Sequence, residues 1–244
     1  MISLENIASS TTEFLQLLKQ SKFKGDIEDS YGARIVASTD NSVYQVIPQA
    51  IIYPRVGDDI NFLVNLLAEY VSSHPKSKLS LVARGGGTGT NGQSLNESLI
   101  LDTSRFLNNI IHLDNEAMQV TVEPGVVLDQ LNAYLATHGL FFPPDVSSSS
   151  RATLGGMVAT DASGKGSRIY GKTSDYIQSL NVVLSDGSDF CIEAMPQSDI
   201  NNNRDLASKA QKKVFDVINE NQSEIKKIFP KMNRGLTGYN LEHV

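Results

Sequence analysis

The chain has 244 residues, 40% of them apolar and 20% charged, enough to bury one sizeable core or two small ones and too apolar for a disordered chain. Its formal net charge of -6 and pI near 5.2 argue against a phosphate-tracking nucleic-acid surface, so any phosphate it binds must be held locally. No apolar run is long enough to span a bilayer, and Met1-Ile2-Ser3-Leu4-Glu5 lacks the basic and apolar regions of a secretory signal, so no membrane span and a cytoplasmic location are expected.

Residues 1–44 read as an N-terminal lead-in with one amphipathic candidate at residues 14–18. A first subdomain, residues 45–103, begins with a strand near residues 49–53. A helix comes next, in which Ile60, Leu63, Val64, Leu67, Ala68 and Val71 recur at steps of three and four. Residues 79–83 supply a buried strand and residues 98–102 another, with a glycine-rich loop between them. In a second subdomain, residues 104–230, the runs 109–113 and 118–123 flank Asp114-Asn115-Glu116 and predict a hairpin. Val127, Leu131, Tyr134 and Leu135 share a helical face that ends before Gly139. The runs 177–184 and 188–193 flank Ser185-Asp186-Gly187, an Asp-Gly hairpin signal, and residues 209–229 form a helix ended by Pro230. The expected class is α+β: two α/β subdomains, one with a small, mostly parallel sheet, the other with a larger antiparallel sheet and flanking helices.

Candidate chemistry lies in two segments. In Arg84-Gly85-Gly86-Gly87-Thr88-Gly89-Thr90-Asn91-Gly92, five glycines in nine positions allow positive φ and close approach of backbone to a ligand. Successive amides in such a turn can converge on an anion, and a diphosphate suits them better than a single charge. A P-loop is excluded because no lysine lies between Lys78 and Lys165. The dinucleotide fingerprint matches formally at residues 87–92, but it should open a helix. The chain instead continues through Gln93-Ser94-Leu95-Asn96-Glu97 into a strand, so a different diphosphate cradle is favoured. The second segment runs from Pro143-Pro144-Asp145 through the serines 147–150 to Arg151-Ala152-Thr153-Leu154-Gly155-Gly156-Met157-Val158-Ala159-Thr160-Asp161-Ala162-Ser163-Gly164. Its small residues can pack against a flat ring while offering many hydrogen bonds.

The remaining candidates carry less. Cys191, the only cysteine, excludes an internal disulfide and a multi-cysteine cluster within this chain; its alternating surroundings favour a small buried residue over a catalytic thiol. His74, His112, His138 and His243 are scattered, so no metal site is expected. Lys165 fits either a carboxylate- or phosphate-reaching role or a solvated loop lysine, and Arg84 fits either diphosphate support or an ion-pair role.

Together, residues 84–92, 143–164, Tyr170-Gly171-Lys172-Thr173-Ser174-Asp175-Tyr176-Ile177 and Asp186-Gly187 resemble the FAD-binding domain of the vanillyl-alcohol oxidase and p-cresol methylhydroxylase superfamily, in the family's order over residues 45–195. The wording Thr160-Asp161-Ala162-Ser163-Gly164-Lys165-Gly166-Ser167 is similar to the bacterial branch of large FAD-linked oxidoreductases that carry an iron-sulfur half and act on D-2-hydroxyglutarate; glycolate and D-lactate dehydrogenases are nearby. The resemblance implies FAD held between the two subdomains, with residues 85–90 around its diphosphate. It places Arg84, Asn91, Pro144, Ser149, Thr153, Leu154, Gly155, Gly156, Thr160, Asp161, Gly164, Gly171 and Ile177 along the cofactor. Asp161 stands where many relatives have Asn, and Thr88 where some carry a flavin-linking histidine, which implies non-covalent FAD. It further implies a hydroxy-acid substrate, an electron acceptor, and any iron-sulfur cluster only on sequence outside this chain. Residues 231–244 resemble the approach to a substrate-binding cap, so no catalytic base is assigned.

Overall fold

The computed structural model describes residues 8–196, 205–229, 239 and 241. Its first layer comprises α1 (Ser9–Gln20), β1 (Asp26–Glu28), α2 (Tyr31–Ala37), β2 (Ala50–Tyr53), α3 (Gly57–Ser73), β3 (Leu81–Arg84) and β4 (Leu99–Asp102). The sheet order is β1-β2-β4-β3; β2 and β3 run parallel to β4, and β1 is antiparallel on the edge. Ala50, Ile51, Ile52, Leu99 and Ile100 are wholly buried because both faces of the central strands are covered. On one face, α1 and α3 bring Phe14, Leu18, Leu63 and Leu67 against Ala50, Ile52, Leu99 and Leu101; on the other, α2 brings Ala37 against Ile51 and Ile100.

Two expectations are corrected here. Residues 9–37 are not a lead-in: α1 fills the core with Phe14, Leu15 and Leu18, and β1 extends the sheet. The buried Asp59 carboxylate ties this segment down by accepting from the amides of Lys24, Arg55 and Val56 at 3.0, 2.9 and 3.3 Å. Strand β3 is not buried but is the sheet edge, half-covered along its length with Ala83 exposed.

The second unit holds β5 (Ile110–Asp114), β6 (Gln119–Val122), α4 (Leu128–Ala136), α5 (Leu154–Ala159), α6 (Ser167–Tyr170), a 3-10 turn (Thr173–Tyr176), β7 (Ser179–Val183), β8 (Asp189–Glu193) and α7 (Leu206–Ile228). The mixed α+β class is as expected, and both hairpins form at the expected places. Among the described residues its antiparallel part is two separate ladders, β5-β6 and β7-β8, rather than one larger sheet. Val126, Leu131, Leu135 and Leu154 pack against Ile110, Leu113, Val120 and Val122, closing α4 over the first hairpin; each such leucine contributes about 1.5–3 kcal/mol. Gly139 comes after α4 at φ 73°, the left-handed stop its position predicts.

The β7-β8 turn docks on α3 through Asn61 to Asp189 and Asn65 Nδ2 to the Gly187 carbonyl at 3.2 Å, which joins the two units. Cys191 is exposed, correcting the expectation of a buried residue: β8 belongs to a two-stranded ribbon, and its outer positions remain open. Helix α7 starts at Leu206, where Asp205 caps it by accepting from the Ser208 amide at 2.8 Å. Pro230 and residues 231–238 lie outside the described residues, as does His243. No helix among the described residues is long and apolar enough to cross a membrane.

Candidate functional site

The glycine loop leaves the carboxyl end of β3, the end of a parallel strand where ligand crevices form, and returns to β4 without a helix. Its geometry requires glycine at specific places. Gly87 has φ 62°, and a Cβ there would sit 2.6 Å from Arg84 Nη2. A Cβ on Gly85 would collide with the Thr153 hydroxyl, and one on Gly86 with the Arg151 carbonyl, so the loop lies flat against residues 151–153. The two candidate segments, more than sixty residues apart in sequence, are therefore one surface; Arg151 Nη2 donates to the Gly86 carbonyl at 3.4 Å across it.

The backbone N–H groups of residues 85–90 donate to no protein acceptor among the described residues, whereas Asn91 N–H is taken by Gln93 Oε1 at 3.0 Å. Free amides on a half-covered turn call for an external acceptor, and several in succession suit a multiply charged anion. Thr88 and Thr90 likewise have hydroxyls with no protein partner among the described residues. Arg84 does not project free charge toward this turn. Its guanidinium donates to the Thr39 carbonyl at 2.7 Å and, at 3.4 Å, to the Ala37 carbonyl and Ser94 Oγ, so it acts as a brace.

The second segment is clamped by backbone pairing. Leu128 N–H donates to Ala152 O at 3.0 Å, and Leu154 and Gly155 N–H donate to Val126 and Pro124 carbonyls, each at 2.8 Å. Thr153 is buried and caps α5 with Oγ1 accepting from Gly156 N–H at 3.4 Å. The Leu154 side chain belongs to the core, which leaves only its backbone to face the loop; Ser149 is committed to a turn, its carbonyl accepting from Asp129 N–H at 3.2 Å. Thr160 Oγ1 donates back to Gly156 O at 3.0 Å. Gly164 is buried against Asp145 and Val146, next to buried Pro144, where any Cβ would meet the Asp145 carbonyl.

Asp161, at φ 44°, accepts from Lys172 Nζ at 2.6 Å and from Ser174 N–H at 3.0 Å. Burial alone would raise its carboxyl, but the Lys172 and Ser174 hydrogen bonds outweigh that and hold it below the usual carboxylate range. Gly171 turns the chain at φ 75° with the Asp175 carboxylate occupying the place a Cβ would take, and half-buried Ile177 closes the 3-10 turn. Lys165 is exposed, the solvated alternative. Among the described residues no group of histidine, cysteine or carboxylate side chains could hold a metal.

Sequence reasoning missed the bracket on the far side of the glycine turn. Asn41 N–H donates to Gly87 O at 3.1 Å, and Ser94 Oγ donates to Asp40 Oδ2 at 3.0 Å. Asp40-Asn41-Ser42 is a run of turn formers, a signal that could have drawn attention to it.

Residues 48–189, more than half of the chain, match the family described as FAD binding domain. The chain belongs to this FAD-binding family. The chain is 45% identical over 234 residues to the D-2-hydroxyglutarate dehydrogenase of Pantoea ananatis and 44% identical to that of Escherichia coli, in each case over 95% of its length. It spans only 22% and 23% of those two proteins. Glycolate oxidase subunit GlcD of Bacillus subtilis is 33% identical over 72% of the chain, which spans 37% of that subunit. Among solved structures, alkyldihydroxyacetonephosphate synthase superposes with TM-score 0.63 and 25% identity over 75% of the chain and 34% of its own length. The resemblance to the vanillyl-alcohol oxidase superfamily is thereby borne out, with FAD as the cofactor.

The residues present fit that cofactor. Free consecutive amides suit a diphosphate, and Cβ-intolerant positions at Gly85, Gly86 and Gly164 keep the backbone close-packed where small residues must present flat surfaces.

Proposed function

We propose that this chain is the FAD-binding part of a dehydrogenase that oxidises D-2-hydroxyglutarate. The observation that carries the reading is the run of unpaired amides at residues 85–90 laid against Arg151 and Thr153, in a chain 44–45% identical to D-2-hydroxyglutarate dehydrogenases over nearly its whole length. Glycolate and D-lactate are the competing substrates because their enzymes match as well, but they rank lower, at 30–33% identity over 58–72% of the chain. A flavin-binding module without turnover is the remaining alternative.

When bound, FAD supplies the hydride acceptor for oxidation at the carbon bearing the substrate hydroxyl. The amides of residues 85–90 would hold the diphosphate, with Thr88 and Thr90 hydroxyls beside them. Thr88 stands where some relatives carry a flavin-linking histidine, and the resemblance therefore supports non-covalent attachment. Residues 153–156 and Pro144 would pack along the cofactor through backbone and small side chains, excluding water. The Asp161-Lys172 pair fixes the turn that carries Ile177. A base for the hydroxyl proton, groups for the substrate carboxylates and an acceptor that reoxidises the flavin are assigned to sequence outside residues 1–244.

The test is anaerobic spectroscopy of protein expressed from the complete reading frame. D-2-hydroxyglutarate should bleach the flavin absorbance, while glycolate and D-lactate should not. Faster bleaching by either competitor would overturn the substrate, and bleaching by none would favour the non-catalytic module.

A further inference from the structure

A turn with this many glycines is conformationally costly to order, and its own amides make no bonds that would hold it. Residues 151–153 support one side. The other is supported by residues 37–46, which precede the segment matched by the family. Asp40 stands at the centre of that support. Its Oδ1 accepts from Ser42 N–H at 2.8 Å, which rounds the chain so that Asn41 N–H reaches the Gly87 carbonyl at 3.1 Å. Its Oδ2 accepts from Ser94 Oγ at 3.0 Å, on the outgoing limb of the loop, and the same hydroxyl meets Arg84 Nη1 at 3.4 Å on the incoming limb.

Arg84 Nη2 in turn holds the Thr39 carbonyl at 2.7 Å. Tyr44 lies against Gly92, where a Cβ would sit 2.9 Å from its ring, and Val46 N–H anchors the bracket to Ser38 O at 2.9 Å. One carboxylate thus links both limbs and the apex of the turn.

We propose that Asp40 is a positioning residue for the flavin nucleotide: acting through Asn41, Ser94 and Arg84, it holds the glycine turn in its binding conformation before the ligand arrives. The inference rests on the glycine turn being the diphosphate cradle. A ligand that binds one conformer has its apparent Kd raised by the reciprocal of that conformer's population. Asp40→Ala removes both acceptors and lowers that population to roughly a tenth, so the Kd for FAD rises about tenfold, in the association rate and not the dissociation rate. Asp40→Asn keeps one side-chain carbonyl acceptor and recovers part of the loss.

The experiment is stopped-flow binding of FAD to the full chain as wild type, Asp40→Ala, Asp40→Asn and Ser94→Ala, with amide hydrogen exchange of the unliganded proteins. The expected result is slower association for Asp40→Ala, intermediate values for Asp40→Asn and Ser94→Ala, and faster exchange at Asn41, whose N–H is held by the Gly87 carbonyl, with the exchange of β2 and β4 unchanged. If Asp40→Ala fails to fold, Ser94→Ala carries the test alone. Wild-type association and exchange in the variants would overturn the bracket. Absence of FAD binding by the wild type would count against the cradle itself, and the exchange data would still decide whether Asp40 orders the turn.

Discussion

Gly86→Ala is the most direct probe of the joined segments. Its added Cβ would run into the Arg151 carbonyl oxygen and come within 2.9 Å of the carbonyl carbon, both backbone atoms. That backbone has little freedom to retreat: Arg151 and Ala152 N–H each hold Ser148 O at 2.8 Å, and Ala152 O receives Leu128 N–H at 3.0 Å. Relief must come from the glycine loop lifting away. Overpacking of this kind costs about 1–3 kcal/mol, and a central value near 2 lowers the melting midpoint of a chain this size by about 4–8 °C. A lifted loop also forfeits at least one amide bond to a charged acceptor, about 1.5–3 kcal/mol, so the Kd for FAD should rise about 10- to 100-fold. The assays are thermal melts and flavin-fluorescence titration beside Gly32→Ala, a helical glycine with no atom within 4 Å of its Cβ, which should melt at or slightly above wild type. If Gly86→Ala bound FAD and melted like wild type, residues 85–86 and 151–153 would not be in contact and the cradle as described would be wrong.

Lys172→Met should lower stability in urea by about 1–2 kcal/mol, a value reduced from that of a fully buried pair because Asp161 is 34% exposed. Because the Asp161 carboxyl is held below its ordinary 3.8, its contribution is complete above that value and disappears as pH falls through the lower folded value; urea melts on descending pH should show this loss in wild type and a flatter profile in Lys172→Met. Phe14→Ala empties a wholly buried site and should cost about 3–5 kcal/mol by the same measurement; an unchanged midpoint would restore residues 9–20 to the status of a lead-in.

The parts of the fold that were readable are those where local chemistry and tertiary burial agree. The stripe of Leu63 and Leu67 placed α3, and Ser185-Asp186-Gly187 placed the β7-β8 turn, because period and turn residues act within a few positions. Strand β1 could not be seen this way. Asp26, Ile27 and Glu28 are polar on both flanks and become a strand only because Tyr53, Ile52 and Ile51 offer them a ladder. Cys191 failed for the complementary reason: alternation identifies a strand but does not say whether anything covers its outer face.

The site divides along the same line. Glycines at 85, 86, 87 and 164 announce close backbone approach, but the partners of Gly85, Gly86 and Gly164 lie away from them along the chain, and Thr153, Arg151 and Asp145 could be matched to them only in three dimensions. Arg84 shows the limit more sharply. A cation beginning a glycine turn invites assignment to a phosphate ligand, yet the Arg84 guanidinium is directed to the Thr39 and Ala37 carbonyls and to Ser94. A fixed arginine beneath the turn still contributes field without contact, because charge acts over several ångströms where hydrogen bonds do not. Labour in the proposed cradle is divided accordingly: unpaired amides on the open side would present donors to the ligand, while residues 40–46, 84 and 94 keep those donors aligned, so substitutions behind the turn should slow FAD association and those on its face should speed its release.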